Sequence, residues 1–175
     1  MKLRPAPELV TQDWLNTPEP LTLAGLKGRI VLIEAFQMLC PGCVSHGLPQ
    51  AQRVRDTFAP DDVAVIGVHT VFEHHAAQGS REALEAFLHE YRVSFPVAID
   101  APTPGQHLPQ TMQAYHMQGT PTLILVDRQG RLRQQTFGRA NDLALGASIG
   151  ALLKENTEQA NDACEEDGCP SPTSS

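Results

Sequence analysis

"EAFQMLCPGC", residues Glu34 to Cys43, sets two cysteines three positions apart, directly after an apolar run that holds one carboxylate. Upstream, Gly28 to Phe36 reads GRIVLIEAF, β-branched and apolar after a Gly-Arg turn. It is too apolar for a half-exposed strand, which predicts a central one. Downstream, Pro41 to Phe58 reads as a helix, with Pro41 suited to its first turn and Pro49 predicted to kink or interrupt it. Cys40 thus falls at a helix start, where free N–H groups and the positive end of the macrodipole stabilise a thiolate. Cys43 lies one turn further in, shielded but within bonding reach. That asymmetry suits disulfide exchange, in which an exposed thiolate attacks and a protected neighbour resolves. Gly42 between them leaves room for the backbone of a bulky substrate.

The alternation of strands and helices continues outward. Val63 to Thr70 (VAVIGVHT) is a second buried strand, and Ser80 to Tyr91 (SREALEAFLHEY) a helix capped by Ser80. Phe95 to Asp100 is a short strand, followed by a proline-rich loop and a short helix over Gln110 to Met117. PTLILVD and RLRQQTFG flank the turn Arg128 to Gly130 and predict a β-hairpin. A last helix covers about Asn141 to Lys154. The resulting order, β-α-β-α-β-α-β-β-α, implies an α/β fold: a mixed central sheet with helices on both faces. Three stretches are set apart: an N-terminal extension over 1–20, the domain over 21–154, and a tail over 155–175 that is nearly devoid of apolar residues and reads as disordered.

Composition narrows the function. The chain has 175 residues, 41% of them apolar, enough to bury a core without staples. A formal charge of −7 argues against nucleic acid and anionic membrane as partners. No apolar stretch follows Lys2 and Arg4, as a secretory signal would need, and no window suits a membrane span, so the address reads as cytoplasmic. The four cysteines fall into two local pairs, Cys40/Cys43 and Cys164/Cys169. In a reducing compartment such pairs are more often catalytic or metal-binding than structural.

The strand–C-x-x-C–helix unit resembles the thioredoxin fold. Glu34 stands six residues before Cys40, the spacing of the buried carboxylate on thioredoxin's central strand. Gly119 to Gly130, GTPTLILVDRQG, has the form of the strand that a cis-proline opens opposite the disulfide, with Thr120 before Pro121. The likeness covers roughly Leu21 to Lys154. Its helical insertion between VAVIGVHT and FPVAID points to the redoxin branch, TlpA-like and AhpC/TSA-like proteins. The resemblance implies a thiol-disulfide oxidoreductase without cofactor or metal, acting on protein or small-molecule disulfides and recharged by a thiol reductant. Cys40 would attack and Cys43 resolve. Glu34, its pKa raised by burial, would take the proton from Cys43. Thr120, Pro121, Pro41 and Gly42 would meet the substrate.

Other readings stand beside this one. The two cysteine pairs could together bind zinc, although the second pair lies in the tail. Cys164 and Cys169 could instead relay electrons to the first pair. His46, near Cys43, could lower a thiol pKa, whereas His74 and His75 read as loop residues without a matching ligand set. A thiol peroxidase is the rival enzyme, but Gln37 stands where peroxiredoxins carry threonine. A non-catalytic docking or metal-binding module is the third reading. Leu39 replaces the usual aromatic residue before the first cysteine, and Pro-Gly replaces Gly-Pro between the cysteines. Substrate choice is expected to lie at Leu39 and Gln37.

Overall fold

The computed structural model describes residues 3–166. Its strands are β1 (Thr11–Leu15), β2 (Ile30–Phe36), β3 (Val63–His69), β4 (Val97–Asp100), β5 (Thr122–Val126) and β6 (Leu132–Phe137). Its helices are α1 (Leu48–Thr57), α2 (His75–Gln78), α3 (Arg81–Glu90), α4 (Gln110–Ala114) and α5 (Asp142–Glu166). The six strands form one sheet in the order β1-β4-β3-β2-β5-β6. β2, β3 and β4 run parallel, while β1, β5 and β6 pair antiparallel to their neighbours. All seven residues of β2 are buried, as the apolar run requires of a strand covered on both faces.

Alternation along β2 divides the core in two. Leu32 and Phe36 face one cluster, with Leu48 and Val54 of α1, Leu84 and Leu88 of α3, and Leu145 and Ile149 of α5. Val31, Ile33 and Ala35 face the other, with Met112 of α4, Tyr115 and Trp14. Glu34 alternates with Leu32 and Phe36 and so lies among the first set of helices. α4 is short and lacks a side-chain cap of its own. Asp100, at the end of β4, supplies one by accepting from the N–H groups of Thr111 (2.8 Å) and Met112 (3.0 Å). Among the described residues no helix is long and apolar enough to cross a membrane.

Three elements differ from the sequence reading. The first 20 residues are not an appendage: β1 forms a sheet edge, pairing Thr11 to Leu15 with Asp100 to Val97. Trp14 and Leu15 bury their side chains there, and Trp14 Nε1 donates to Thr11 Oγ1 at 2.9 Å. The polar start of TQDWL conceals this strand, because an edge needs only two apolar anchors. The interruption expected at Pro49 is a π-helical turn over Cys43–Gly47, closed by the Leu48 N–H on Cys43 O. Pro49 then enters α1 in its first turn, where a missing N–H costs nothing. α5 runs past Lys154 to Glu166, into the stretch read as a tail. Residues 155–166 hold four Glu and two Ala, and no Gly or Pro follows before Gly168, so helix propensity carries it on. Cys164 falls on this helix, whereas Cys169 lies outside the described residues.

Candidate active site: a dithiol beside a buried carboxylate

β2 ends at Phe36, and the chain turns at once into the helical segment that carries both cysteines. The Cys40 N–H donates to Gln37 O (3.3 Å), and the Val44 N–H to Cys40 O (3.1 Å). Cys40 is partly exposed and Cys43 fully buried, and both are free thiols. The Cys43 backbone N–H donates to Cys40 Sγ at 3.2 Å, and the Cys40 thiol reaches Thr120 O at 3.4 Å. Thr120 precedes a cis peptide bond to Pro121. A Cβ on Gly42 would lie 3.2 Å from Pro121 Cδ, so glycine between the cysteines admits the proline loop. Cys40, Gly42, Thr120 and Pro121 are thus brought together, with Cys43 behind them. Pro41 is exposed on the rim.

Burial acts on the two inner groups in one direction. It pushes the Cys43 thiol well above the ordinary thiol range, reinforced by the hydrogen bond with Cys40. It raises the Glu34 carboxyl to about 8. Glu34 Oε1 has no hydrogen-bond partner among the described residues. The carboxylate lies against Gly47, at the far end of the turn that Cys43 opens: a Cβ there would overlap Oε1 and approach Pro121 Cβ to 3.1 Å. Glu34, Pro121 and the cysteine turn therefore meet at one glycine. Gly47→Ala should displace the carboxylate and cost about 1–3 kcal/mol, the usual penalty of overpacking, read as a lower urea midpoint at an unchanged slope.

His46 Nδ1 is 2.6 Å from Ser45 Oγ, which donates to Pro41 O. His69 is buried against Phe36, and desolvation lowers its pKa to about 4, so the ring is neutral at physiological pH. Among the described residues no three His, Cys, Asp or Glu side chains are grouped to hold a metal.

Sequence reasoning singled out Leu39 and Gln37 but missed the other walls of the site. A groove of about 340 Å³ opens beside Cys40, between the loop carrying Phe72, Glu73 and His74 and the segment Gln118 to Thr120 with Phe137. Leu39 is 56% exposed on its rim and Phe137 53%. Gln37 is buried at the groove and holds the loop. Its Oε1 accepts from the N–H groups of Phe72 (3.2 Å) and Glu73 (3.3 Å) and from Gln78 Nε2 (3.1 Å). Gln78 in turn accepts from the Leu39 N–H at 3.1 Å and donates to Glu73 O at 2.8 Å.

A mixed sheet whose parallel strands lead into a C-x-x-C helix start, faced by a cis-proline loop, defines a thioredoxin-like protein. Comparison with known proteins agrees. The chain belongs to the Redoxin family, whose model matches residues 3–153. A crystal structure of a thioredoxin-like superfamily protein is 56% identical, with a TM-score of 0.83 over 86% of this chain and 96% of that one. A thiol-disulfide isomerase from Corynebacterium glutamicum is 49% identical, with a TM-score of 0.80 over 85% of this chain and 96% of that one. Protein DipZ of Mycobacterium tuberculosis is 28% identical over 147 residues, 81% of this chain and 19% of its own length. The chain thus spans about a fifth of that longer relative.

Proposed function

We propose that the protein is a thiol-disulfide oxidoreductase that exchanges disulfides with protein substrates through Cys40 and Cys43. The carrying observation is that Cys40 Sγ lies between the Cys43 N–H and Thr120 O, at the open end of a groove, with Cys43 buried behind it. The family and its thiol-disulfide isomerase neighbour support the same chemistry.

Cys40, as thiolate, attacks one sulfur of a substrate disulfide. A mixed disulfide forms, and the first substrate thiolate leaves and takes a proton from solvent. Cys43 must then lose its proton, which burial resists. Glu34, held near neutrality by its own burial, is the base matched to that proton. The Cys43 thiolate attacks Cys40 Sγ and expels the second substrate thiolate, leaving a Cys40–Cys43 disulfide. Two electrons have moved to the substrate, and an external thiol reductant restores the dithiol. Thr120 and Pro121 offer backbone beside the sulfurs for an extended substrate segment.

Insulin-disulfide reduction by the purified protein tests this reading, with Cys40→Ser as control. Hydrogen peroxide consumption without disulfide reduction would instead make it a peroxidase, and neither activity would leave a binding module. We read the direction as reducing and the setting as cytoplasmic. A dithiol potential near thioredoxin's ~−270 mV supports reduction, whereas one near ~−120 mV reverses the direction.

A further inference from the structure

The amide of Gln37 is only half used. Three donors converge on Oε1: two backbone N–H groups and the Gln78 amide. Backbone donors require an oxygen at that position, so the orientation of the Gln37 amide is set by its partners. Its NH2 group is then directed away from the loop, and no described residue accepts from it. Gln37 is 3% exposed, yet it lines the groove three residues before Cys40. The Nε2 atom itself is not sealed from solvent, so a carbonyl entering the groove can replace the water it would otherwise meet.

Resting on the oxidoreductase reading, we propose that Gln37 determines substrate specificity by donating its amide NH2 to a backbone carbonyl of a peptide bearing the disulfide. Oε1 of the same side chain fixes the Phe72–His74 wall, and Gln78 ties that wall to the Leu39 backbone. Leu39, Phe72 and Phe137 give the groove apolar sides, fitted to the side chains that flank a cysteine in an extended segment. A small disulfide without a peptide carbonyl meets Cys40 but gains nothing from Gln37. Selectivity for peptide over small disulfides follows.

The test compares two substrates. One is a short end-blocked peptide with a central cysteine, oxidised to its disulfide-linked dimer. The other is bis(2-hydroxyethyl) disulfide, neutral and free of carbonyls. Gln37→Glu keeps an acceptor for the Phe72 and Glu73 N–H groups but removes the donor. It should lower the ratio of kcat/KM for the peptide to that for the small disulfide about tenfold, mainly through KM. Any change in Cys40 reactivity affects both substrates and cancels in the ratio. A ratio within twofold of wild type overturns the proposal. Wild-type inactivity toward both substrates overturns the oxidoreductase reading itself.

A second measurement needs no change at Gln37. In Cys43→Ser, attack on each substrate stops at the mixed disulfide with Cys40 and releases one thiol. The Gln37 side-chain NH2 resonances should shift in the peptide adduct and not in the 2-hydroxyethyl adduct. Equal shifts in both, or none, overturn the proposal.

Discussion

Replacing Cys40 by serine should abolish disulfide reduction, with insulin turnover falling at least about a thousandfold, because a hydroxyl is not ionised at neutral pH and cannot attack sulfur. Cys43→Ser should behave differently. It retains the attacking sulfur and loses the resolving one, so substrate accumulates as a mixed disulfide on Cys40. Non-reducing electrophoresis and intact mass read that adduct directly, and added dithiothreitol should release it. The asymmetry follows from exposure, since Cys40 opens onto the groove and Cys43 is fully buried. Equal loss in both variants without an adduct would contradict the assigned order of attack.

Glu34→Gln should separate stability from catalysis. In the folded protein burial raises the Glu34 pKa from 4.5 to about 8. The native state therefore holds this proton more tightly than the unfolded chain does. The sign follows: the contribution of Glu34 to stability is fully present below about pH 4.5 and declines as pH rises to about 8, by roughly 1.4 kcal/mol per pH unit. The accumulated cost above pH 8 is about 5 kcal/mol, an order-of-magnitude figure for one buried carboxylate. Glutamine has the same shape and no titratable proton, so the variant's advantage over wild type in melting should grow between about pH 5 and 8 and level off above. Its resolving step should slow by about a hundredfold at neutral pH, the usual worth of a general base. Denaturation at several pH values checks the first effect, and single-turnover decay of the mixed disulfide the second. A flat stability difference across pH would show that Glu34 does not carry this load.

Much of the fold was legible where composition is extreme. IVLIEAF and VAVIGVH can only be buried strands, and TLILV before a Gly-containing turn can only be one arm of a hairpin. Cys40, Cys43, Glu34 and Pro121 were visible through their spacing and their likeness to a known family. β1 was not, because an edge strand held by Trp14 and Leu15 looks polar along most of its length. Pro49 announced a break in the helix without saying that the turn before it widens into a π-turn around Gly47. The link from Gln37 to Gln78 spans 41 positions and exists only once the Phe72–His74 loop folds back over the end of β2. No local pattern encodes it. Gln37 stood out in the sequence as a departure from the family and a candidate for substrate choice, without its partners.

The N-terminal segment has a consequence for the order of folding. Pro5 bridges to Arg131 at the β5–β6 turn, the Glu8 carboxylate accepts from the N–H groups of Leu23 and Ala24, and β1 then pairs with β4. Pro5 thus depends on a partner 126 positions further along the chain, and β1 on a strand more than 80 positions away. Until Arg131 is available, residues near Pro5 have nothing to bridge, and closing so long a loop carries a high entropic cost. Docking of this strap should be a late event, and the unpaired edge of β4 stays open to foreign strands until it occurs.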